Sequence, residues 1–258
     1  MKICYFEYKN ERYWGALNND LIFPLDGIEG STDTENDEVK LTKHIAVEQV
    51  KFLPPASPSK IVCVGRNYAE HAAELGNEVP QEPLLFLKAP SSIITESETV
   101  LIPSQSNQVE HEGELAVVIG RECKNLGDDT NPLDFVFGYA CLNDVTARDL
   151  QKKDVQFSRA KSFDTFCPIG AILQTELDVS DVRVTTSVNG IIKQDGRTSQ
   201  MVFSVPFLIR YISNQMTLNS GDIIATGTPS GVSKLNNGDV CEVEIEGIGI
   251  LRNNVKAI

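Results

Sequence analysis

The sequence predicts a β-rich α+β fold: a mixed sheet body with peripheral helices and a small β-rich segment at the amino terminus. Short strand-like runs bounded by turn residues recur along the 258 residues, whereas helical patterns are few. Two runs, LLFLK (84–88) and LAVVIG (115–120), are apolar on successive residues, as strands buried on both faces are. The regular βαβα alternation of a doubly wound sheet is missing. With 41% hydrophobic and 23% charged residues, a disordered chain, a collagen-like repeat and a coiled coil are excluded.

Residues 1–56 read as a small unit of short strands, KICYFEY, RYWGAL and LIFPLD, separated by polar turns. STDTENDE (31–38) concentrates acids and is expected as an exposed loop. Pro54, Pro55 and Pro58 fix φ and remove backbone donors, which marks a stiff linker and sets a boundary near residue 56. Residues 57–258 form the larger unit. It opens with IVCVG (61–65), an apolar run ending in glycine. NYAEHAAELG (67–76) has helix-forming composition, with Gly76 suited to the position after a helix end. VRVTTSVNGIIKQDG alternates around Asn189-Gly190, the signal of a type I′ hairpin. SVPFLIRYISNQM (204–216) sets Val205, Leu208, Ile209 and Ile212 at helical spacing, with Ser204 as N-cap and Pro206 in the first turn. The closing DVCEVEIEGIGILRNNV alternates like a second hairpin.

Lys and Arg number 23 against 36 Asp and Glu, a formal charge of −13. Such a field repels nucleic acid phosphates and anionic lipid headgroups, so neither is an expected partner. It also repels small anions unless a metal or a few cationic side chains reverse the potential locally. No run reaches the roughly 18 apolar residues of a membrane span, and MKICYFEYKNERYW has no secretory h-region. The six cysteines are widely spaced without a C-x-x-C pair, which reads as reduced, buried thiols in a cytoplasmic protein.

Four segments carry groups capable of chemistry. Glu110-His111-Glu112-Gly113-Glu114 runs directly into LAVVIG, and on a strand Glu112 and Glu114 point to the same face. Two adjacent carboxylates repel unless a cation sits between them, although a solvated acidic strand end has the same sequence. YACLNDVTARDLQ reads as a strand turning at Asn143-Asp144 into a helix carrying Arg148 and Gln151, so Asp144 is either an N-cap or a third acid for the pair. Three carboxylates suit a hard divalent cation, and without cysteine or histidine ligands of zinc spacing Mg²⁺ or Mn²⁺ is preferred. On the 67–76 helix His71 and Glu74 are three apart and face one another, either as an oriented general base or as a surface pair. Lastly, ATGTPSGV (225–232) follows a strand and has glycines able to present backbone N–H groups to a carboxylate or oxyanion, or forms an ordinary turn. It lacks the Gly-Lys-Ser/Thr of a P-loop.

Taken together, IVCVGRNYAEHAAELG, PLLFLKAPSSII, EHEGELAVVIGR, GYACLNDVTARDLQ, RAKSFDTFCPIG, VNGIIKQDGRTSQMVFSVPFLI and GDIIATGTPSGV resemble the fumarylacetoacetate hydrolase family over about residues 58–257. The resemblance is to the branch of acylpyruvate hydrolases, oxaloacetate decarboxylases and 2-hydroxyhepta-2,4-diene-1,7-dioate isomerases. It implies a mixed β-sandwich roll and a homodimer, with one Mg²⁺ or Mn²⁺ per chain held by Glu112, Glu114 and Asp144. It further implies that His71 and Glu74 form a base on a lid, that Lys161 is a site lysine, and that Arg66, Arg148, Gln151 and Thr228 contact substrate. The implied activity is metal-dependent hydrolysis of a C–C bond of an acylpyruvate, a small anionic 2-oxo acid. Oxaloacetate decarboxylation, isomerisation, or metal and ligand binding without catalysis are the alternatives.

Overall fold

The computed structural model describes residues 1–25 and 44–258; the expected 31–38 loop lies outside the described residues. Strands and helices follow in chain order. The amino-terminal strands are β1 (Lys2–Tyr8), β2 (Glu11–Asn18), β3 (Leu21–Pro24), β4 (Ile45–Ala46) and β5 (Lys51–Phe52). After the prolines come β6 (Ile61–Gly65), helix α1 (Ala69–Glu74), β7 (Leu84–Lys88), β8 (Ile93–Ile94), β9 (Thr99–Ile102), β10 (Val109–Glu110) and β11 (Gly113–Ile119). The middle of the chain gives β12 (Val136–Asn143), β13 (Thr146–Ala147), α2 (Arg148–Lys153), α3 (Ser158–Lys161), β14 (Cys167–Pro168) and β15 (Ile172–Gln174). The last stretch holds β16 (Arg183–Val188), β17 (Ile191–Arg197), α4 (Val205–Ser213), β18 (Ile223–Ala225), β19 (Val240–Ile245) and β20 (Gly249–Ala257).

The largest sheet runs β4-β3-β2-β1-β15-β12-β11-β18-β6-β7, with β5 beside β1. It is mixed, because β18 and β6 pair in parallel while their neighbours are antiparallel. A second sheet, β17-β16-β19-β20-β9, covers one face of it. Between them Val62, Val64, Leu115, Val117, Ile119 and Cys141 meet Val184, Val243, Ile245 and Leu251, and the apolar stripe of α4 closes the side. On the opposite face Ile61, Cys63, Ala116, Val118, Ala140 and Leu142 pack into a separate core with Ile169 and Leu173. Strand β11 is therefore buried at every residue, which its unbroken apolar run requires.

Local chemistry matches the sequence at several points. Asn189 (φ +52°) and Gly190 (φ +76°) turn the β16–β17 hairpin. Gly76 (φ +69°) follows the end of α1, in the left-handed region where a Cβ is costly. The helical segment around His71 is shorter than its composition implies, six residues rather than ten. Ser204 stands at the N-cap of α4 with extended backbone, but its side chain makes no capping hydrogen bond there. Beyond the β12 strand, Asp144 does not cap a helix, because α2 begins at Arg148 after the short β13. The cysteines are free and buried. Among the described residues no helix is long and apolar enough to cross a membrane.

This topology brings four chain segments to one edge of the main sheet. β6 and β18 are parallel, so their carboxyl ends, Gly65-Arg66 and Thr226–Thr228, emerge together. β11 is antiparallel to β18, so its amino end with Glu112 and Glu114 lies at the same edge. β12 is antiparallel to β11, which places Asn143-Asp144 there as well.

Candidate active site

At that edge lies a cavity of about 360 Å³ whose wall includes Arg66, His71, Glu74, Glu112, Glu114, Asp144, Arg148, Gln151, Lys161 and Thr228. Every site residue singled out in the sequence thus lines one space. Register explains the carboxylates. Gly113 pairs with Asn143 across β11 and β12, Glu112 N donates to Asn143 Oδ1 at 2.9 Å, and Asp144 N donates to Glu112 O at 2.8 Å. Oxygen atoms of Glu112, Glu114 and Asp144 consequently come within 4.8 Å of one another, all three side chains buried.

Helix α1 lays His71 over the cavity, with Nδ1 3.2 Å from Glu74 Oε2. His71 is only 5% exposed while Glu74 is exposed, so the pair stands at the rim with its imidazole turned into the cavity. Asn67 anchors the helix start by donating to Thr226 O (2.7 Å) and Phe203 O (3.0 Å). The glycine loop does present its N–H groups to carboxylates, and these are the protein's own: Gly227 N donates to Glu114 Oε2 at 2.7 Å, and Gly231 N to Glu74 Oε1 at 3.0 Å. Arg66 holds a left-handed backbone (φ +58°), a sparsely populated conformation for a residue with a Cβ and one found at functional sites.

The model of the fumarylacetoacetate (FAA) hydrolase C-terminal family matches residues 60–256. Relatives include a mitochondrial oxaloacetate decarboxylase from Dictyostelium discoideum, 46% identical over 73% of this chain and 89% of its own. Another is the oxaloacetate tautomerase YisK from Bacillus subtilis, 42% identical over 85% of this chain and 77% of its own. The chain belongs to the fumarylacetoacetate hydrolase family. Two solved structures of family enzymes resemble it. A 2-hydroxyhepta-2,4-diene-1,7-dioate isomerase from Mycobacterium marinum superposes with a TM-score of 0.88, at 35% identity over 100% of this chain and 98% of that one. A fumarylpyruvate hydrolase from Pseudomonas aeruginosa, in complex with Mn²⁺ and pyruvate, gives 0.73 at 28% identity over 81% and 92%.

In this family member the electrostatics of Glu112 and Glu114 differ. Burial pushes the Glu112 carboxyl up, but Lys161 and Arg148 beside it hold it well below the usual range. Lys161 Nζ donates to Glu112 Oε2 (2.7 Å) and Asp144 Oδ2 (2.6 Å), and Arg148 bonds Glu112 and Glu110. Burial lowers the affinity of Lys161 for its proton, yet Asp144 and Glu112 more than restore it. Glu114 receives the Gly227 N–H, and burial, Asp144 and Glu112 push its carboxyl far up. A buried carboxylate in that position is short of positive charge, and three buried oxygen donors around it fit a hard divalent cation.

Sequence reasoning missed three contributors. Lys88 is 2% exposed and donates to Asp144 Oδ1 at 2.6 Å and Val145 O at 3.2 Å. Its signal was a lysine closing the apolar run LLFLK. Glu110 binds Arg148 Nε at 2.7 Å from within the acidic motif itself. Gln194, fully buried, stands at an inward position of β17 where the alternation called for an apolar residue.

Proposed function

We propose that this protein is an Mg²⁺- or Mn²⁺-dependent enzyme acting on small anionic 2-oxo acids, and that it hydrolyses the C–C bond of an acylpyruvate of the acetylpyruvate or fumarylpyruvate type. The observation that carries this reading is a His–Glu pair, His71 and Glu74, on the wall of the same cavity as three buried carboxylates. A cation held by Glu112, Glu114 and Asp144 would supply Lewis-acid stabilisation of negative charge on the 2-oxo oxygen.

The chain's own residues account for the rest. Donation of His71 Nδ1–H to Glu74 fixes the ring tautomer and leaves Nε2 to take a proton from water. That water adds to the distal acyl carbonyl. The C–C bond then breaks, its electron pair passes into the enolate of pyruvate, and the acyl group departs as a carboxylic acid; protonation at carbon completes pyruvate. Arg66, Arg148, Lys152 and Lys161 on the wall equal in number Glu74, Glu112, Glu114 and Asp144. Addition of a divalent cation leaves the wall doubly positive, which admits a mono- or dianionic 2-oxo acid to a protein of charge −13.

The names of the two curated relatives favour a second reading, in which oxaloacetate is decarboxylated or tautomerised through the same enolate. Parallel assays separate the two: pyruvate release from acetylpyruvate and from oxaloacetate, and enol-to-keto conversion of oxaloacetate, each with Mg²⁺, Mn²⁺ or chelator. Chelator-sensitive release mainly from acetylpyruvate is expected. Turnover of oxaloacetate alone would replace hydrolysis with the second reading. Thermal stabilisation by both ligands with no product would leave a binding protein.

A further inference from the structure

Gln194 reaches the active site from the opposite sheet. Its Oε1 accepts from Gly113 N at 2.9 Å and from His111 Nδ1 at 3.1 Å. Its Nε2 donates to Thr228 Oγ1 and to Pro229 O, both at 2.7 Å. All four bonds are buried, and the amide fits one way only, since a flip would set its NH₂ against the Gly113 N–H and its oxygen against the Pro229 carbonyl. His111 is itself fixed, its Nε2 2.8 Å from Ser233 Oγ.

The partners of this amide belong to the two halves of the site. Gly113 lies between Glu112 and Glu114, and the approach is so close that a Cβ on Gly113 would sit 2.0 Å from Thr186 Oγ1. Thr228 lines the cavity and donates to Gly113 O at 2.8 Å. Three residues on, Gly231 (φ +102°) packs on the backbone of Lys193, where a Cβ would lie 2.0 Å from the carbonyl oxygen. From there its N–H holds Glu74, and Glu74 holds His71. The Gln194 side chain and the Lys193–Gln194 backbone therefore span from the carboxylate strand to the loop that latches the His–Glu helix.

We propose that Gln194 is a positioning residue that couples the carboxylate strand Glu112–Glu114 to the His71–Glu74 helix, holding the two at the spacing the reaction needs. The proposal rests on the metal-site reading above. Loss of the amide should loosen both halves together, whereas a residue with only a structural role would lower stability everywhere and neither half selectively.

The test uses Gln194→Met, which keeps the shape and removes every bond, and Gln194→Glu, which keeps the acceptor and removes both donors. Free Mn²⁺ during titration, read by electron paramagnetic resonance, gives metal affinity without any substrate. Amide hydrogen exchange of residues 67–76, set against strands β12 and β19, gives the state of the latch. Expected are Mn²⁺ affinities about 10–100-fold weaker and exchange in 67–76 faster by about tenfold or more, with the strands unchanged. Folded variants that bind Mn²⁺ as the wild type does, or that exchange equally in 67–76, overturn the coupling and leave the metal reading standing. A wild-type chain that binds no Mn²⁺ overturns the metal reading and the proposal with it. Should both variants fail to fold, Thr228→Val removes one of the four bonds together with the Thr228–Gly113 bond and must show the same two effects.

Discussion

Glu112 and Glu114 lie two residues apart on one strand face, yet their surroundings drive them in opposite directions. Lys161 and Arg148 compensate Glu112, while Glu114 has a backbone N–H and two acidic neighbours. Without a cation Glu114 therefore favours its neutral form, and a cation must displace that proton to be bound. Glu114→Gln should abolish Mn²⁺ binding and turnover while leaving the melting temperature of the metal-free protein close to wild type, because burial and its acidic neighbours favour the neutral carboxyl that a glutamine replaces. Calorimetric titration with parallel melting curves checks both; undiminished Mn²⁺ binding would remove Glu114 from the site. His71 carries a different expectation. If it is the base, His71→Ala leaves Mn²⁺ affinity intact and costs hydrolysis roughly 10²–10⁴-fold, a loss read in kcat under saturating substrate. Hydrolysis that survives the change would assign His71 another role.

At the scale of elements, the site depends on how β18 is held, since β18 carries the glycine loop. Asp222, just before that strand, is fully buried and accepts from Ser59 N, Ser59 Oγ, Lys60 N, Lys60 Nζ and Asn219 N. Burial pushes its carboxyl up, but these donors outweigh it and hold it below the usual range. A depressed carboxylate stabilises the fold above its unfolded pKa and loses that stabilisation as pH falls through the folded one. Asp222→Asn should thus cost roughly 2–3 kcal/mol near pH 7, and the gap to wild type should close as pH drops below about 4. Denaturant unfolding across pH measures it, and a gap independent of pH would contradict the assignment. Much at this scale was legible in the sequence because it is local. The HEGE alternation, the His71–Glu74 spacing and the Asn189-Gly190 turn each sit within a few residues. Lys88 reaches Asp144 across 56 residues and Gln194 reaches Gly113 across 81, so only the sheet topology brings them to the site. The helix around His71 was over-read because propensity alone does not show where Tyr68 and Leu75 end it. The N-cap alternative for Asp144 failed for a similar reason: β13 pairs with β10 before any helix can start.

For the whole molecule, the question is how an anion enters a chain of charge −13. Four cationic side chains line the cavity beside four acids, while most of the other acids among the described residues are exposed or half-buried. Distance separates their effects. At about 0.01 M salt the Debye length is about 30 Å, and the distant acids repel an approaching dianion. At about 0.15 M it is about 8 Å, which silences those acids but still lets Arg66 and Lys152 act at the mouth. For a dianionic 2-oxo acid, kcat/KM should therefore rise as NaCl is increased over that range and fall again near 1 M, where screening reaches about 3 Å and the local attraction is lost too. The change belongs in KM, with kcat flat, since the buried ion pairs of Lys161 and Lys88 are shielded from salt. Arg66→Met should raise KM most at about 0.15 M salt and flatten the high-salt limb, the two proteins converging at about 1 M. A monotonic fall in kcat/KM from the lowest salt would mean that the cavity's own field reaches farther than the surface acids allow, and that the global charge has no part in substrate capture.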